Sequence, residues 1–469
     1  MIDWEGPLTA AYERATRYLN ELPERRVGPR ATAGELHDAL GGPLPTDPTD
    51  PLEVIADLAD GVDGGLLPSG SGRFFGFVFG GATPASLAAD WLTSTWDQNA
   101  GLYAASPAAA VVEDVTARWL VELFGLPGGT SVGFVTGAQM ANFTALAAAR
   151  HEVLRNAGWD VERDGLIGAP PIRVLAGAER HDTIDRALRF LGLGTNCIVP
   201  VAVDEQGRML TDALAEALRD DAAWRGTRGG GVIPTIVCAQ VGNVNTGAFD
   251  PVRTICDLAH QHQAWVHVDG AFGLWASVSQ QLSPLLDGIE LADSWATDAH
   301  KWLNVPYDSG IVLCAHPEAH RAAMSIRAAY LIQDEAGERD PLDYNPEFSR
   351  RARGIPVYAA VRALGRTGIA EIVDRCHAMA NRFADALRAD GVEVLNEVVL
   401  NQVLVRFGDD DAVTRRVVAE VQDEGTCWMS GTTWHGKAAM RISVTNWTTG
   451  PDDIDRSAET ILKIFRKVS

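Results

Sequence analysis

The stretch that decides the fold of this chain is residues 265–310, which read WVHVDGAFGLWASVSQQLSPLLDGIELADSWATDAHKWLNVPYDSG. It opens with a short apolar run that ends at Asp269 and is followed by small residues, a pattern typical of a buried strand. Open α/β sheets bind ligands at the carboxyl ends of their strands, so Asp269 is predicted to lie at that edge. Lys301 follows thirty-two residues later (301 − 269), between His300 and Trp302. A lysine among apolar neighbours is a usable amine nucleophile for a Schiff base.

An acid at a strand end and a lysine in apolar surroundings together indicate pyridoxal phosphate. Lys301 would hold the cofactor aldehyde as an imine, and Asp269 would keep the pyridine nitrogen protonated so that the ring accepts electrons. The alternative is a core strand with an incidental aspartate and an exposed lysine. HVDGAFG and DAHKW resemble the pyridoxal-phosphate-dependent decarboxylases of group II, the aromatic-L-amino-acid and glutamate decarboxylase family. The resemblance implies that Ala271 and His300 also contact the cofactor.

The bulk composition is that of a globular chain that can bury a sizeable core. The chain has 469 residues, of which 46% are hydrophobic, and a net charge of −22, which argues against nucleic-acid partners and anionic membranes. The six cysteines show no CxxC or metal spacing, so buried free thiols, a reducing cytoplasm and no metal site are expected. The first residues lack the apolar core of a signal peptide, and no stretch approaches the ~20 apolar residues of a membrane span. These features predict a cytoplasmic protein.

Short helices are predicted ahead of the main domain, at 8–22, 32–40 and 50–58. Thr32 and Glu35 have the spacing of a capping box at the start of the second helix. A segment of this size has too little apolar surface for a core of its own. It is therefore either a helical clip on the main domain or, as the resemblance implies, an arm that contacts a second subunit.

Phenylalanines are concentrated in the segment GRFFGFVF at 72–79. Phe74, Phe75 and Phe77 are candidates for core packing. The resemblance implies a second role for this segment, at the mouth of the substrate site and contributed across a dimer.

Regular alternation of strands and helices begins near residue 131 and predicts a large α/β domain. The turn Thr136-Gly137-Ala138-Gln139 follows the first strand of this region and opens a long helix. The start of a helix attracts anions, because its first N–H groups are unpaired and its dipole is positive there. The resemblance implies that these four residues hold the cofactor phosphate, although the turn alone is a weak motif.

A histidine follows the next predicted strand, in the segment AERHDTIDRALRFLGLG. A histidine at such a strand-to-helix junction commonly caps the helix or lies on the surface. The segment resembles the family's H-x-S/T-x-x-(K/R)-A pattern, which implies that the ring of His181 stacks on the pyridine ring. A neutral imidazole at that place can also relay a proton.

The chain departs from the pattern of the family at Asn243, Val244 and Asp298. In VGNVNTGAFDP, at 241–251, Asn243 and Val244 replace the usual pair of threonines. Asn243 is expected to supply the hydrogen bond to the cofactor instead. Asp298 stands where many relatives have asparagine, and an acid is a poor partner for phosphate. Asp298 is therefore expected to cap a turn or to bond His300.

Two further residues are assigned by the resemblance. Tyr330 lies 29 residues after Lys301 (330 − 301), the offset of the family's catalytic tyrosine, so it is predicted to donate a proton. The alternative is a tyrosine that packs at the base of a loop. Arg441, in MRIS, resembles an arginine that many pyridoxal enzymes direct at the substrate carboxylate. A structural salt bridge is equally open, because a decarboxylase gains nothing from stabilising that carboxylate in the ground state.

The resemblance covers about residues 70–460 and implies an α/β fold of the aspartate-aminotransferase type (fold type I of the pyridoxal-phosphate-dependent transferases). Its features are a mostly parallel seven-stranded sheet, a smaller C-terminal α/β domain and a homodimer. We expect a helical arm at 1–85, a large cofactor domain at 86–364 and a small domain at 365–469.

The predicted function is that of a lyase in amino-acid metabolism, which decarboxylates an L-amino acid through Lys301. The phenylalanine-rich segment favours an aromatic or bulky apolar substrate over glutamate. A carbon–carbon lyase of the sphingosine-phosphate-lyase type is an alternative, but it would need extra basic residues for a substrate phosphate. A catalytically silent binding protein is the alternative from outside enzymes, although a silent scaffold has no need for an imine-forming lysine.

Overall fold

The computed structural model describes residues 3–220, 233–326 and 338–468. The α-helices of these residues are α1 (Glu5–Glu21), α2 (Ala33–Leu40), α3 (Pro51–Val62), α4 (Pro84–Trp96), α5 (Pro107–Phe124), α6 (Ala138–Asn156), α7 (Val161–Asp164), α8 (Asp182–Phe190), α9 (Thr211–Arg219), α10 (Val252–Gln261), α11 (Pro317–Met324), α12 (Gly354–Ala389), α13 (Asp411–Glu424) and α14 (Pro451–Val468). The strands are β1 (Ser131–Val135), β2 (Arg173–Gly177), β3 (Ile198–Val201), β4 (Thr235–Gln240), β5 (Trp265–Asp269), β6 (Ser294–Asp298), β7 (Gly310–Cys314), β8 (Glu393–Val394), β9 (Gln402–Arg406), β10 (Ser430–Trp434) and β11 (Lys437–Ser443).

The chain forms two compact units. The large unit comprises Gly80–Asn381 and Asn396–Val403, and the small unit comprises the chain up to Phe79, Arg382–Leu395 and the chain from Leu404 onward. The division into an arm, a large domain and a small domain with boundaries at 85 and 364 stays a prediction.

The large unit is built on a seven-stranded sheet in the order β1-β7-β6-β5-β4-β2-β3. The strands β2 to β6 are mutually parallel, and β7 runs antiparallel to both of its neighbours, β1 and β6. Every residue of β1, β2, β5, β6 and β7 is buried, as expected for a sheet covered on both faces. The prediction of a mostly parallel seven-stranded α/β sheet is confirmed.

The carboxyl edge of this sheet is where several predicted site residues emerge. Asp269 is the last residue of β5, Asp298 is the last residue of β6, and α6 begins three residues after the end of β1. Because β1, β5 and β6 run in the same direction, their ends lie on one edge of the sheet.

The small unit contains most of a four-stranded sheet in the order β10-β11-β9-β8. Strand β10 pairs antiparallel with β11, with Ser430 opposite Arg441 and Trp434 opposite Lys437. A two-residue turn sets this register: His435 and Gly436 both have positive φ (46° and 77°) and join β10 to β11 as a tight hairpin. The residues before Ser430 instead contact the Phe74 segment, where Phe75 N–H donates to the Trp428 carbonyl at 2.7 Å.

The first three helices also belong to the small unit, and they match the predicted ones within a few residues. The predicted capping box is present, since Glu35 N–H donates to Thr32 Oγ1 at 3.3 Å and Thr32 N–H donates to Glu35 Oε2 at 2.7 Å. The segment is tied to the C-terminal part of the same unit, where Val27 N–H donates to the Gly425 carbonyl at 2.7 Å. None of the described helices is both long and apolar enough to cross a membrane.

Candidate active site

A cavity at the carboxyl edge of the large sheet collects most of the predicted site residues. Its lining consists of Gly137, Ala138, Gln139, His181, Thr183, Gln240, Gly242, Val244, Asp269, Ala271, Phe272, Asp298, His300 and Lys301. Eight of these had been predicted to bind or react with a cofactor. Thr136 and Asn243 were predicted as well, but they stand next to lining residues rather than among them.

Lys301 lies on the loop that joins β6 to β7. Its Nζ is 3.0 Å from Asp298 Oδ2 and 5.9 Å from the centre of the Phe272 ring, and its side chain is one-fifth exposed. The backbone of Gly80 packs against this loop, because its N–H donates to the His300 carbonyl at 3.2 Å. A Cβ on Gly80 would collide with the Lys301 carbonyl oxygen, so the glycine permits this close approach. The lysine backbone is thus held while its amine reaches the cavity.

Asp269 delivers a buried carboxylate to the same cavity. The residue is 4% exposed, and it accepts hydrogen bonds from Asn142 Nδ2 at 3.1 Å and from the Ala271 amide at 3.2 Å. Both donors hold the carboxylate in a single orientation. An oriented acid of this kind can keep a proton on a ring nitrogen, and that role of Asp269 stays a prediction.

Asn142 is the first link of a buried hydrogen-bond chain behind Asp269. Asn142 Oδ1 is 2.9 Å from His267 Nε2, and His267 Nδ1 is 3.0 Å from Ser294 Oγ. Ser294 Oγ also accepts from Trp265 Nε1 at 2.9 Å. Burial lowers the pKa of His267 to about 4, so its ring is neutral at pH 7. A neutral ring that donates from Nε2 and accepts at Nδ1 satisfies every member of this chain.

Asn142 and His267 were not predicted from the sequence, although each has a recognisable signal there. His267 stands two residues before Asp269 on the same strand, so both side chains point to the same face of the sheet. Asn142 is a fully buried amide among the alanines of α6. A buried polar side chain within an apolar helix indicates a hydrogen-bond partner on the neighbouring element.

Asp298 lies against the first turn of α6. Its Oδ1 accepts the Ala138 N–H at 2.5 Å and is 3.5 Å from His300 Nε2. The expectation that Asp298 acts as a cap is confirmed, and it caps the start of α6. Gly137 precedes the helix without a side chain, and a Cβ there would lie 3.2 Å from His300 Cε1 and 3.4 Å from Asp298 Oδ1.

His181 caps α8, the next helix at this edge. Its Nδ1 accepts the Thr183 N–H at 3.2 Å, and its own N–H donates to Gln240 Oε1 at 3.2 Å. The capping role that a histidine commonly has at such a junction is therefore present, and the ring also lines the cavity. The stacking of this ring on a cofactor stays a prediction.

His300 packs beside Lys301 with its ring mostly buried. Its Nδ1 accepts the Ser309 N–H at 3.4 Å, and its ring stacks on Tyr307 with centres 4.1 Å apart. Burial lowers the pKa of His300 below its ordinary value. Its Nδ1 serves as an acceptor, as in a neutral imidazole.

Asn243 uses its side chain to hold the local backbone. Its Nδ2 donates to the Glu179 carbonyl at 3.1 Å, and its Oδ1 accepts from the amides of Asn245 and Thr246. These bonds shape the turn that carries the lining residues Gly242 and Val244. A direct contact between Asn243 and a cofactor stays a prediction.

The remaining predicted residues do not belong to the described part of this cavity. Phe74, Phe75, Phe77 and Arg441 are all in the small unit. Phe77 is 44% exposed and stacks on Trp428, whereas Phe75 is fully buried against Phe383. Tyr330 lies outside the described residues.

Arg441 contacts the Phe77 backbone within the small unit. Its Nη2 donates to the Phe77 carbonyl at 3.4 Å. Burial lowers the pKa of its guanidinium to about 10, so the side chain is still charged at pH 7.

A lysine, an oriented acid and a helix start at the carboxyl edge of a mostly parallel sheet define the pyridoxal-phosphate enzymes of fold type I. The family model "Pyridoxal-dependent decarboxylase conserved domain" matches residues 34–407. The chain therefore belongs to the pyridoxal-dependent decarboxylase family. It is a pyridoxal-phosphate-dependent amino-acid decarboxylase.

Three relatives illustrate the range of the family. The chain is 28% identical to an aromatic-L-amino-acid decarboxylase of Bacillus atrophaeus, over 84% of this chain and 80% of the relative. It is 30% identical to an L-2,4-diaminobutyrate decarboxylase of Rhizobium meliloti (strain 1021), over 82% and 76% respectively. The crystal structure of Oryza sativa TDC with PLP and tryptamine superposes with a TM-score of 0.90 at 25% identity, over 98% of this chain and 97% of the other.

The residues of the cavity fit pyridoxal phosphate chemically. Lys301 offers an amine, Asp269 offers an oriented carboxylate, and the Ala138 amide opens a nineteen-residue helix at the cavity wall. The glycine at position 137 leaves room at that helix start which a side chain would fill. One feature is unfavourable for a phosphate group, because the Asp298 carboxylate already accepts the Ala138 N–H.

Proposed function

We propose that this decarboxylase acts on an aromatic or bulky apolar L-amino acid and releases the corresponding amine and CO2. The observation that carries the decarboxylase chemistry is the meeting of Lys301, Asp269 and His181 in one cavity. Two findings support the aromatic substrate class. An aromatic-L-amino-acid decarboxylase is among the relatives, and the small unit presents a cluster of stacked aromatic rings.

This cluster, which we call the aromatic cluster, consists of Phe74, Phe77, Phe79 and Trp428. The Phe77 and Trp428 ring centres are 5.4 Å apart, and those of Phe77 and Phe79 are 5.1 Å apart. Trp428 is partly exposed, and Phe77 is 44% exposed. Exposed aromatic faces favour aromatic ligands, because ring pairs add about 0.5–1.5 kcal/mol beyond buried area. We propose that Phe77 contacts the substrate, that the buried Phe74 and Phe75 support it, and that Arg441 orients the substrate carboxylate.

Pyridoxal phosphate, when bound, supplies an electron sink for the pair released as the Cα–carboxylate bond breaks. Lys301 would hold the cofactor aldehyde through its side-chain amine. Asp269 would keep a proton on the pyridine nitrogen and would thereby strengthen the electron sink. His181 positions the ring, and Tyr330 donates a proton to Cα in place of the departed carboxylate. The net change consumes one proton and converts the amino acid into amine and CO2.

The substrate class is tested by supplying each of the twenty L-amino acids and L-2,4-diaminobutyrate to the loaded enzyme. Released CO2 and the amine product, identified by mass spectrometry, are the readouts. We expect turnover with tryptophan, tyrosine or phenylalanine and none with the Lys301→Ala variant, which lacks the amine. Turnover of diaminobutyrate or glutamate alone would replace the aromatic assignment and leave the decarboxylase intact.

We further propose that the protein is cytoplasmic and that it forms a homodimer. The N-terminal part of the small unit exposes large apolar side chains, among them Trp4, Leu8, Leu52 and Leu58. Surfaces of this kind mark interaction sites, and we assign this one to a second copy of the chain. Light scattering should give a particle of twice the 50.3 kDa chain mass, and Leu52→Glu with Leu58→Glu should reduce it to a single chain. A single-chain mass for the unmodified protein would contradict the assignment.

A further inference from the structure

The side chain of Asp298, at the end of β6, binds the first turn of α6. Its Oδ1 accepts the first amide of the helix, that of Ala138, at 2.5 Å, and its Oδ2 is 3.0 Å from Lys301 Nζ. Asp298 is 2% exposed and Ala138 is 6% exposed, so water screens neither group well. The carboxylate thus contacts both the helix start and the reactive amine.

The two helix starts at this cavity are capped in different ways. The α8 start is capped by its own preceding residue, His181. The α6 start has Gly137 before it, which offers no side-chain acceptor, and its cap comes from the end of β6. An anion is favoured at the α6 start because its amides and its dipole face the cavity, and Asp298 is at present that anion.

The backbone holds Asp298 in this place. Its N–H donates to the Ala271 carbonyl at 2.9 Å, and its own carbonyl accepts from Trp275 Nε1 at 2.9 Å. The residue therefore cannot withdraw from the cavity as a whole. Only rotation of its side chain can free the Ala138 amide.

We propose that Asp298 is an internal competitor for the phosphate group of the cofactor and weakens its binding at the start of α6. For the phosphate to accept the Ala138 N–H, the carboxylate must give up that hydrogen bond and remain nearby as a like charge. The Asp298 carboxylate and the phosphate would both be negatively charged and close together, so they repel each other. Burial increases this repulsion. The residue thus lowers the affinity for the phosphorylated cofactor relative to that for the same aldehyde without the phosphate. The inference rests on the cofactor phosphate lying at α6, and it does not depend on which amino acid is the substrate.

The test compares two probes that differ only in the phosphate. Pyridoxal phosphate and pyridoxal both react with Lys301, and the absorbance near ~420 nm reports their binding to apoprotein. The Asp298→Asn variant keeps an acceptor of the same shape for Ala138 but removes the charge. We expect the ratio of the pyridoxal Kd to the pyridoxal phosphate Kd to rise about 10-fold, as for the loss of one unfavourable charge contact. Any change in lysine reactivity affects both probes and cancels in the ratio.

A matched control is Asp308→Asn, which removes one negative charge ten residues away. Asp308 binds Arg353 Nε at 2.7 Å on the surface, so the ratio should not change. Asp298→Ser provides a second route if the asparagine variant does not fold, and it should raise the ratio in the same direction. A ratio that stays within twofold of the unmodified protein, or falls, would overturn the proposal. A failed substrate screen would leave this result standing, because the probes require no turnover.

Discussion

At the scale of single residues, Asp269 is the group whose charge matters most to the chemistry. The carboxylate is buried and receives hydrogen bonds from Asn142 and the Ala271 amide. An amide in its place cannot keep the pyridine nitrogen protonated, so Asp269→Asn should bind cofactor and lose activity by about 10³-fold, or ~4 kcal/mol of transition-state stabilisation. Steady-state kinetics with cofactor content measured in parallel will check this. A variant within tenfold of the unmodified enzyme would show that the acid is structural.

Tyr330, as the proposed proton donor to Cα, sets the reaction outcome. Removing its hydroxyl should slow protonation at Cα, so dioxygen can react there before the proton arrives. Tyr330→Phe should then shift the product from amine to aldehyde, ammonia and hydrogen peroxide under air. Product analysis of both proteins with an aromatic amino acid, repeated without dioxygen, is the measurement. An unchanged yield of amine at an unchanged rate would move the donor role to His181.

At the scale of structural elements, a buried hydrogen-bond chain joins α6, β5 and β6 behind the cofactor site. Its central bond, from His267 Nε2–H to Asn142 Oδ1, orients the amide that donates to Asp269. Asn142→Ala should therefore leave Asp269 with one donor fewer and a less definite position. We infer that Asn142 is a positioning residue, because it acts through Asp269.

The prediction for Asn142→Ala is a drop in kcat of about tenfold with little change in KM, as for a loss of transition-state stabilisation alone. The visible absorption of the bound cofactor should also change its dependence on pH, a readout that simple loss of stability would not move. Thr144→Ala on the same helix is the matched control, since its hydroxyl donates only to the Met140 carbonyl. Equal effects of the two substitutions would exclude a positioning role.

At the scale of the whole molecule, two buried histidines make stability depend on pH. Burial lowers the pKa of His267 to about 4 and that of His320 to about 3, whereas the unfolded chain takes up these protons near 6.5. The unfolded state binds more protons between these values, so the free energy of unfolding should fall as the pH falls below about 6.5. Asp250 has the opposite effect on the free energy of unfolding between about pH 6 and pH 3.8, because burial raises the pKa of its carboxyl to about 6.

His320 offers the cleaner test, because it lies away from the cavity and binds Ser131 Oγ through Nδ1 at 2.9 Å. Each such histidine should lower the free energy of unfolding by ~2 kcal/mol at pH 5 relative to pH 7. The reason is that pH 5 lies about 1.5 units below the pKa of histidine in the unfolded chain. His320→Asn should remove that part of the pH dependence. Urea unfolding at pH 7 and pH 5, at fixed protein and cofactor concentration, will measure the difference. If both proteins lose the same free energy of unfolding between pH 7 and pH 5, His320 is not the responsible group.

Much of the architecture and several site residues were accessible from the sequence alone. Strand–helix alternation predicted the large sheet, and the spacing of Thr32 and Glu35 predicted a capping box that is present. Asp269 and Lys301 were predicted to share a site, and both line one cavity. Such features are readable because they depend on neighbours in the chain: the two-residue period of a strand, the first turn of a helix, and the short loop after a strand.

Only the tertiary structure decided the contacts that tune this site. Asn142 meets Asp269 across 127 residues, and Ala138 meets Asp298 across 160 residues. The position of β7 between β1 and β6, antiparallel to both, likewise brings Gly310 against Gly137. Periodicity shows which face of an element is buried, but it does not show which element covers that face. The sequence by itself therefore determined the sheet and its reactive lysine and acid, whereas the packing of α6 on β5 and β6 decided what orients that acid and which carboxylate lies at the helix start.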